Sequence, residues 1–247
     1  MLFASKTDVG QVRSSNQDYV FAASESIGPL SNLFVIADGM GGHKAGEYAS
    51  SKAVQHAVST IETSALKEPV AVLDQAISSA NSVIYEMAAS DDSKRGMGTT
   101  FVAATICGQH LYVVNVGDSR LYLVDHSGLC QVTRDHSLVE EMRRSGEMTR
   151  DEAMHNPNKN IITRAVGVEA EVHPDYFDLF LQPREQILMC TDGLTNMVPD
   201  EEILRIMNTE PEPEMRAERL LELANFNGGK DNISVIVIDP LVDAERM

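Results

Sequence analysis

Apolar residues in the first half of the chain recur with the period of an α-helix. Between Glu47 and Glu62 they fall at i, i+3, i+4 and i+7, which predicts one amphipathic helix. The same spacing from Leu73 to Met87 predicts a second helix, antiparallel to the first and joined to it near Pro69. Three shorter helices are predicted over Ser137–Ser145, Asp200–Met207 and Met215–Ala224.

Short apolar runs bounded by turn residues surround these helices. They predict strands over Leu33–Ala37, Thr99–Ile106, His110–Val116, Leu121–Val124, Asp175–Phe180, Gln186–Cys190 and Ile233–Ile238. Tight turns at Gly108-Gln109 and Gly117-Asp118 predict antiparallel pairing of the strands on either side. Because the helices cluster instead of alternating with strands, the pattern favours an α+β fold with helices packed outside antiparallel sheets.

Length and composition predict one globular domain. The chain has 247 residues, of which 43% are hydrophobic and 23% charged, which suits a single core. We assign the domain to residues 1–240 and a tail to residues 241–247. The polar stretch Met148–Asn160 lies inside this domain, so we predict a functional flap over about residues 138–165.

The formal net charge of −17 restricts the possible partners. Such a chain repels nucleic-acid backbones, and a phosphate ester would need local attraction from cations or an arginine in a cleft. The N-terminus becomes polar too early for a signal peptide, and no apolar run has the length of a membrane span. Cys107, Cys130 and Cys190 match no metal-binding spacing, and we interpret them as buried thiols. These features predict a cytoplasmic protein without nucleic-acid or membrane partners.

Aspartates stand where predicted strands begin or end. Asp38 and Asp192 follow the apolar runs LFVIA and ILMCT, Asp118 ends LYVVNVG, Asp231 precedes the last strand, and Asp18 precedes another apolar stretch. Carboxylates that meet in one cleft repel each other unless cations join them. Oxygen ligands suit Mg²⁺ or Mn²⁺, and the sequence has no histidine pair with the spacing of a zinc site.

Each aspartate also has a simpler interpretation. An Asp-Gly pair such as Asp38-Gly39 is by itself more often a turn than a site. Asp118 fits a hairpin turn as well as it fits a ligand, and Asp231 alone fits the turn before a strand. The surrounding sequence therefore has to decide between the two interpretations.

Six segments are informative: TDVGQVRSSNQD from Thr7, DGMGGHKAGEYAS from Asp38, VGDSRLYLV from Val116, TRDHSLVEEM from Thr133, TDGLTNMV from Thr191 and GGKDNISVIVI from Gly228. Together they resemble the PP2C (PPM) family of protein phosphatases, in particular its bacterial stand-alone members. They occur in the family's order and span nearly the whole chain. The resemblance implies an αββα sandwich: two antiparallel sheets, helices on both outer faces, and metal ions in a cleft at one end.

The same resemblance implies a metal role for several positions. Asp38 would bridge two Mn²⁺ or Mg²⁺ ions, and the carbonyl oxygen of Gly39 would bind one of them. Asp192 and Asp231 would complete the binuclear shell, while Asp18 would hold metal-bound waters.

A third ion is implied at Asp118, which would share it with Asp192. Asn160, in or beside the flap, lies where some relatives place another ligand of this ion. Many relatives have glutamate where this chain has Gln17, which removes one negative charge near the site.

For catalysis, the resemblance implies a water nucleophile made by the metal pair, with no covalent phosphoenzyme. Arg13, five residues before Asp18, matches the family's phosphate-binding arginine, and its planar fork would grip two phosphate oxygens. His43 is the nearest candidate for the general acid, but it would equally orient Arg13 or a water. A metal-bound water is another possible proton donor.

The predicted function is hydrolysis of phosphoserine and phosphothreonine on proteins by a monomer that reverses the action of a Ser/Thr protein kinase. The alternative is a catalytically weak relative that binds a phosphoprotein or kinase as a regulatory scaffold. Such a relative would be expected to have lost an aspartate or Arg13, and the chain has kept them all.

Overall fold

Two antiparallel sheets form the centre of the computed structural model, which describes residues 1–42, 44–149, 152–153 and 156–240. The strands are β1 (Leu2–Asp8), β2 (Asp18–Ala23), β3 (Leu33–Met40), β4 (Gly98–Thr99), β5 (Phe101–Cys107), β6 (His110–Val116), β7 (Arg120–Val124), β8 (Leu129–Gln131), β9 (Asp175–Phe180), β10 (Gln186–Cys190) and β11 (Ile233–Asp239). One sheet has the order β1-β11-β10-β7-β8. The other has the order β2-β3-β5-β6-β9, with β4 paired to β3.

Helices cover the outer face of each sheet. They are α1 (Ala45–Glu62), α2 (Pro69–Ser90), α3 (Leu138–Ser145), α4 (Asp192–Thr195), α5 (Asp200–Thr209) and α6 (Pro213–Phe226), with a 3-10 turn at Asp92–Lys94. All five predicted helices are present, each extended or shortened by a few residues. None of the helices in the described part of the chain is long and apolar enough to cross a membrane.

Three buried apolar layers hold the sheets and helices together. On β3, Phe34 and Ile36 face the second sheet, whereas Leu33 and Val35 pack under α1 and α2. Because both faces of the strand are buried, its sequence is continuously apolar instead of alternating. The third layer lies between the β1-containing sheet and α5 and α6. The arrangement is the predicted αββα sandwich.

One predicted pairing is wrong. The turn after β6 leads out of its sheet: β6 pairs with β5 and β9, whereas β7 pairs with β10 and β8 of the other sheet. Gly117, at φ +104°, and Asp118 therefore lie in a crossing between the layers, not in a hairpin. Strands β1, β2 and β8 were not predicted, and the predicted strand from Thr99 is interrupted at Thr100.

The interpretation of the cysteines is correct only for Cys190, which is buried on β10. Cys107 and Cys130 are exposed, because one ends β5 beside a turn and the other lies on the edge strand β8. His43, the predicted tail 241–247 and part of the predicted flap (150–151 and 154–155) lie outside the described residues.

Candidate metal centre

The five predicted aspartates lie at one end of the sandwich, and both sheets contribute. Asp18 begins β2 and stands directly opposite Asp38 of β3, so their side chains share one face. Asp192 begins α4 just after β10, and Asp231 lies just before the neighbouring strand β11. Asp118 reaches the same end from the crossing between the sheets.

Asp18 connects the two sheets through a buried carboxylate. Its Oδ2 accepts hydrogen bonds from Thr191 Oγ1 at 2.9 Å and Ser234 Oγ at 2.7 Å, both on the other sheet. Burial raises the pKa of Asp18 to about 7, against the two hydroxyl donors, and the charges of Asp192 and Asp231 add to the rise. The two hydrogen bonds therefore fix the position of the carboxylate, whereas burial and the neighbouring charges disfavour its ionised form.

The pKa values of the neighbouring carboxylates are raised as well. Burial, and then the charges of surrounding aspartates, raise the pKa of both Asp38 and Asp118 well above the usual range. Burial and the charge of Asp231 raise the pKa of Asp192 to about 6. Four acidic groups in one place therefore favour protonation unless positive charge is supplied.

These carboxylates fit divalent cations. In the part of the chain that the structure describes, the buried oxygens Oδ1 of Asp18, Asp118 and Asp192 have no hydrogen-bond partner, a costly state for an anion. An oxygen-only donor set suits Mg²⁺ or Mn²⁺. No three His, Cys, Asp or Glu side chains of the described residues surround a single point.

The Asp38-Gly39 segment is packed against the start of α1. A Cβ at Gly39 would clash with the carbonyl oxygen of Gly46, and one at Gly46 would stand 2.6 Å from the Gly39 oxygen. Gly39 N also donates to the carbonyl oxygen of Gln17 at 3.0 Å. Only glycine at both positions permits this approach, which fixes the backbone after Asp38 against the first turn of α1.

Arg13 lies at the rim of the centre. Its side chain is 50% exposed, and Nη2 donates to Asp231 Oδ2 at 2.8 Å. The loop that carries it is fixed by Gln11 N, which donates to Gly229 O at 2.7 Å. Asn160 is exposed in a turn of the predicted flap.

Several polar residues that hold the centre were not predicted. Thr191 and Ser234 are completely buried beneath Asp18, and Asn196 Nδ2 donates to Asp192 Oδ2 at 2.9 Å. Asn232 accepts from Gln17 N at 2.8 Å and donates to the carbonyl oxygen of Ser15. For Thr191, Asn232 and Ser234, the sequence signal is a polar residue inside or beside an otherwise apolar strand; Asn196, just after α4, has no such signal.

Comparison with known proteins identifies the family of this chain. The family model described as protein phosphatase 2C matches residues 10–223, and the chain belongs to this family. It is 40% identical over 245 residues to the serine/threonine phosphatase stp of Listeria welshimeri, covering 95% of this chain and 94% of that protein. It is 37% identical over 235 residues to the protein phosphatase PhpP of Streptococcus pneumoniae, covering 94% of each.

Two solved structures of phosphatases have the same fold as this chain. The Staphylococcus aureus serine/threonine phosphatase Stp1 superposes with a TM-score of 0.89 at 36% identity, covering 96% of this chain and 94% of that one. The catalytic domain of the phosphatase PstP, determined with two manganese ions, has a TM-score of 0.84 at 35% identity, covering 95% and 96%.

The raised carboxyl pKa values predict how the metal-free protein responds to pH. Asp18 and Asp192 have folded-state pKa values of about 7 and about 6, whereas the pKa of an aspartate in an unfolded chain is about 4. Between these values the folded state binds more protons, so its stability falls as pH rises. In EDTA, we expect the melting temperature followed by circular dichroism to fall from about pH 4.5 to about pH 7.5.

Repulsion among the many negative charges also lowers the stability of the fold as pH rises. A matched pair of variants separates this general effect from the titration of Asp18. Asp18→Asn should flatten the pH dependence, whereas Glu25→Gln, an exposed substitution with the same charge change, should leave it as in the wild type. Equal slopes for the two variants would contradict the assignment to Asp18.

Proposed function

We propose that this chain hydrolyses phosphoserine and phosphothreonine on proteins with the help of divalent cations held by its aspartate cluster. The observation that carries the proposal is the set of buried carboxylates from both sheets, with partnerless oxygens beside the half-exposed Arg13. The phosphatase names of relatives that cover almost the whole chain support it.

Asp38, Asp192, Asp231 and the carbonyl oxygen of Gly39 would hold two Mn²⁺ or Mg²⁺ ions. Asp18 would act through waters, because Thr191 and Ser234 occupy one of its oxygens. The two manganese ions in PstP support this count.

We place a third ion at Asp118. Its partnerless Oδ1 supports this assignment. Asp192 and Asn160 would be its other ligands.

Bound ions supply Lewis acidity and lower the pKa of water at the site towards neutrality. The chain's own contribution is orientation and charge. Arg13 presents two N–H groups to phosphate oxygens as a planar fork, and its position at the rim provides the local attraction that the net charge of −17 requires. Asp18 is held by two hydroxyls so that Oδ1 can accept a hydrogen bond from water. His43 as proton donor stays a prediction.

The direct test measures phosphate release from phosphoserine, phosphothreonine and phosphotyrosine peptides with Mn²⁺, Mg²⁺ or EDTA. We expect release from the first two with either ion, weak release from the third, and none in EDTA. Release that persists in EDTA would contradict the metal assignment, and a protein inert with both ions would favour the scaffold alternative.

The partner and oligomeric state are part of the same proposal. We infer that the phosphatase works as a monomer on proteins phosphorylated by a Ser/Thr kinase, in the cytoplasm. Comparing the phosphoproteins of a deletion strain with those of an Asp192→Asn strain would identify substrates and separate catalysis from binding. Size-exclusion chromatography with light scattering tests the monomer.

A further inference from the structure

The predicted flap touches the aspartate cluster through one polar chain of contacts. Lys159 Nζ donates to Asn196 Oδ1 at 2.8 Å, and Asn196 Nδ2 donates to Asp192 Oδ2 at 2.9 Å. The backbone N of Asn196 also donates to the carbonyl oxygen of Asp192 at 2.8 Å. The side chain of Asn196 thus links Lys159, a loop residue, to a candidate metal ligand.

The turn that carries Lys159 is itself well defined. Asn156 Oδ1 accepts from Asn158 N at 2.8 Å, and Lys159 N donates to Asn156 O at 3.2 Å. Ile161 N donates to Asn158 O, and Ile161 O accepts from Leu138 N at the start of α3. The ammonium group therefore approaches Asn196 from a turn fixed to α3.

The chemistry of the three groups fixes the orientation of the middle one. A lysine ammonium only donates hydrogen bonds, whereas an asparagine amide has one accepting and one donating end. Lys159 therefore binds the oxygen of Asn196 and turns its NH₂ group towards Asp192. Asp192 Oδ2 is occupied by this donor, while its buried Oδ1 has no partner among the described residues.

We propose that Lys159 is a positioning residue: through Asn196 it holds Asp192 so that Oδ1 stays available to a metal ion, and so couples the predicted flap to metal occupancy. The inference rests on the proposed function, because it takes Asp192 as a ligand. Without Lys159, the oxygen of Asn196 loses this donor, and the side chain is held less firmly in the orientation that binds Asp192. The positive charge of Lys159 also opposes the rise in the pKa of Asp192 that burial and Asp231 cause.

The experiment measures Mn²⁺ binding by calorimetry, without any turnover. We expect Lys159→Met and Asn196→Ala each to weaken binding about 10-fold, the lower end of what loss of a partner behind a ligand costs. Lys159→Arg keeps a group that only donates and should stay within about 2-fold of the wild type. Lys67→Met removes the same charge from an exposed position between α1 and α2 and should change nothing.

Hydrogen–deuterium exchange provides the reciprocal measurement. Because coupling between two sites acts equally in both directions, Mn²⁺ should slow amide exchange over residues 156–161 in the wild type and in Lys67→Met. In Lys159→Met this protection should be largely lost. Melting temperatures in EDTA that match the wild type would show that the variants are folded.

Asp192→Asn separates failure of this inference from failure of the proposed function. If Asp192→Asn loses Mn²⁺ binding while Lys159→Met and Asn196→Ala bind as the wild type does, only the positioning role is overturned. If the wild type does not bind Mn²⁺, or Asp192→Asn binds it normally, both are overturned. If Lys67→Met also weakened Mn²⁺ binding 10-fold, the effect would be due to net charge alone, and the specific role of Lys159 would be overturned.

Discussion

Asp192→Asn should lower Mn²⁺-dependent phosphate release by at least about 1000-fold, because loss of a direct ligand exceeds the roughly 10- to 100-fold cost of losing a partner behind one. Asparagine keeps the size of the side chain and can still accept from Asn196, but it removes the negative charge. The site then carries less negative charge in total and attracts the ions less strongly. The measurement is phosphate release from a phosphothreonine peptide over a range of Mn²⁺ concentrations.

The fold of this variant should survive. Burial and Asp231 destabilise the Asp192 anion in the metal-free protein, so its neutral replacement should melt in EDTA at or above the wild-type temperature at pH 7.5. Glu25→Gln, exposed between β2 and β3, is the matched control for a carboxylate-to-amide change and should retain full activity. Normal turnover in folded Asp192→Asn would remove this residue from the site.

Arg13→Ala should lower kcat/KM for phosphopeptides about 100-fold, in the range found when one donor to transition-state charge is removed. The guanidinium lies at the rim with its side chain 50% exposed, so its removal should change stability little. Arg13→Lys should recover only part of the loss, because an ammonium cannot form the planar two-point contact. Initial rates across peptide concentrations give both kinetic constants.

The contact between Arg13 and Asp231 offers a second explanation, in which the arginine only orients a ligand. Mn²⁺ calorimetry separates the two: a phosphate-binding role leaves the metal affinity of Arg13→Ala near the wild-type value. Arg219→Ala, at a side chain 52% exposed on α6, controls for loss of a surface arginine and should retain activity. A large drop in metal affinity for Arg13→Ala would contradict the phosphate-binding role.

The sequence predicted those parts of the fold that depend on local pattern. Strand β3 has both faces buried and is apolar throughout, and α1 and α2 have clear helical spacing, so each was located to within a few residues. Strand β1 was missed because it lies at a sheet edge, with polar residues such as Lys6 along it. The turn after β6 was misassigned because turn length does not determine which sheet receives the next strand.

In the candidate site, too, local pattern predicted some residues, whereas the partners that hold them through long-range contacts were missed. Asp38 and Asp192 could be singled out because each follows an apolar run. The partners that hold the acidic residues depend on contacts across the fold: Ser234 lies 216 positions from Asp18, and Lys159 lies 37 positions from Asn196. Nothing in the local sequence indicates such pairs, because they form only when distant parts of the chain have packed together.

The pairing of the first and last strands has a consequence for synthesis of the protein. Strand β11 lies between β1 and β10, and Asp231, just before it, binds Arg13 from the loop after β1. A nascent chain therefore cannot complete this sheet until residues near 239 have left the ribosome. Fragments that stop short of β11 would lack a central strand of this sheet and Ser234, which holds the carboxylate of Asp18, so we expect them to be inactive.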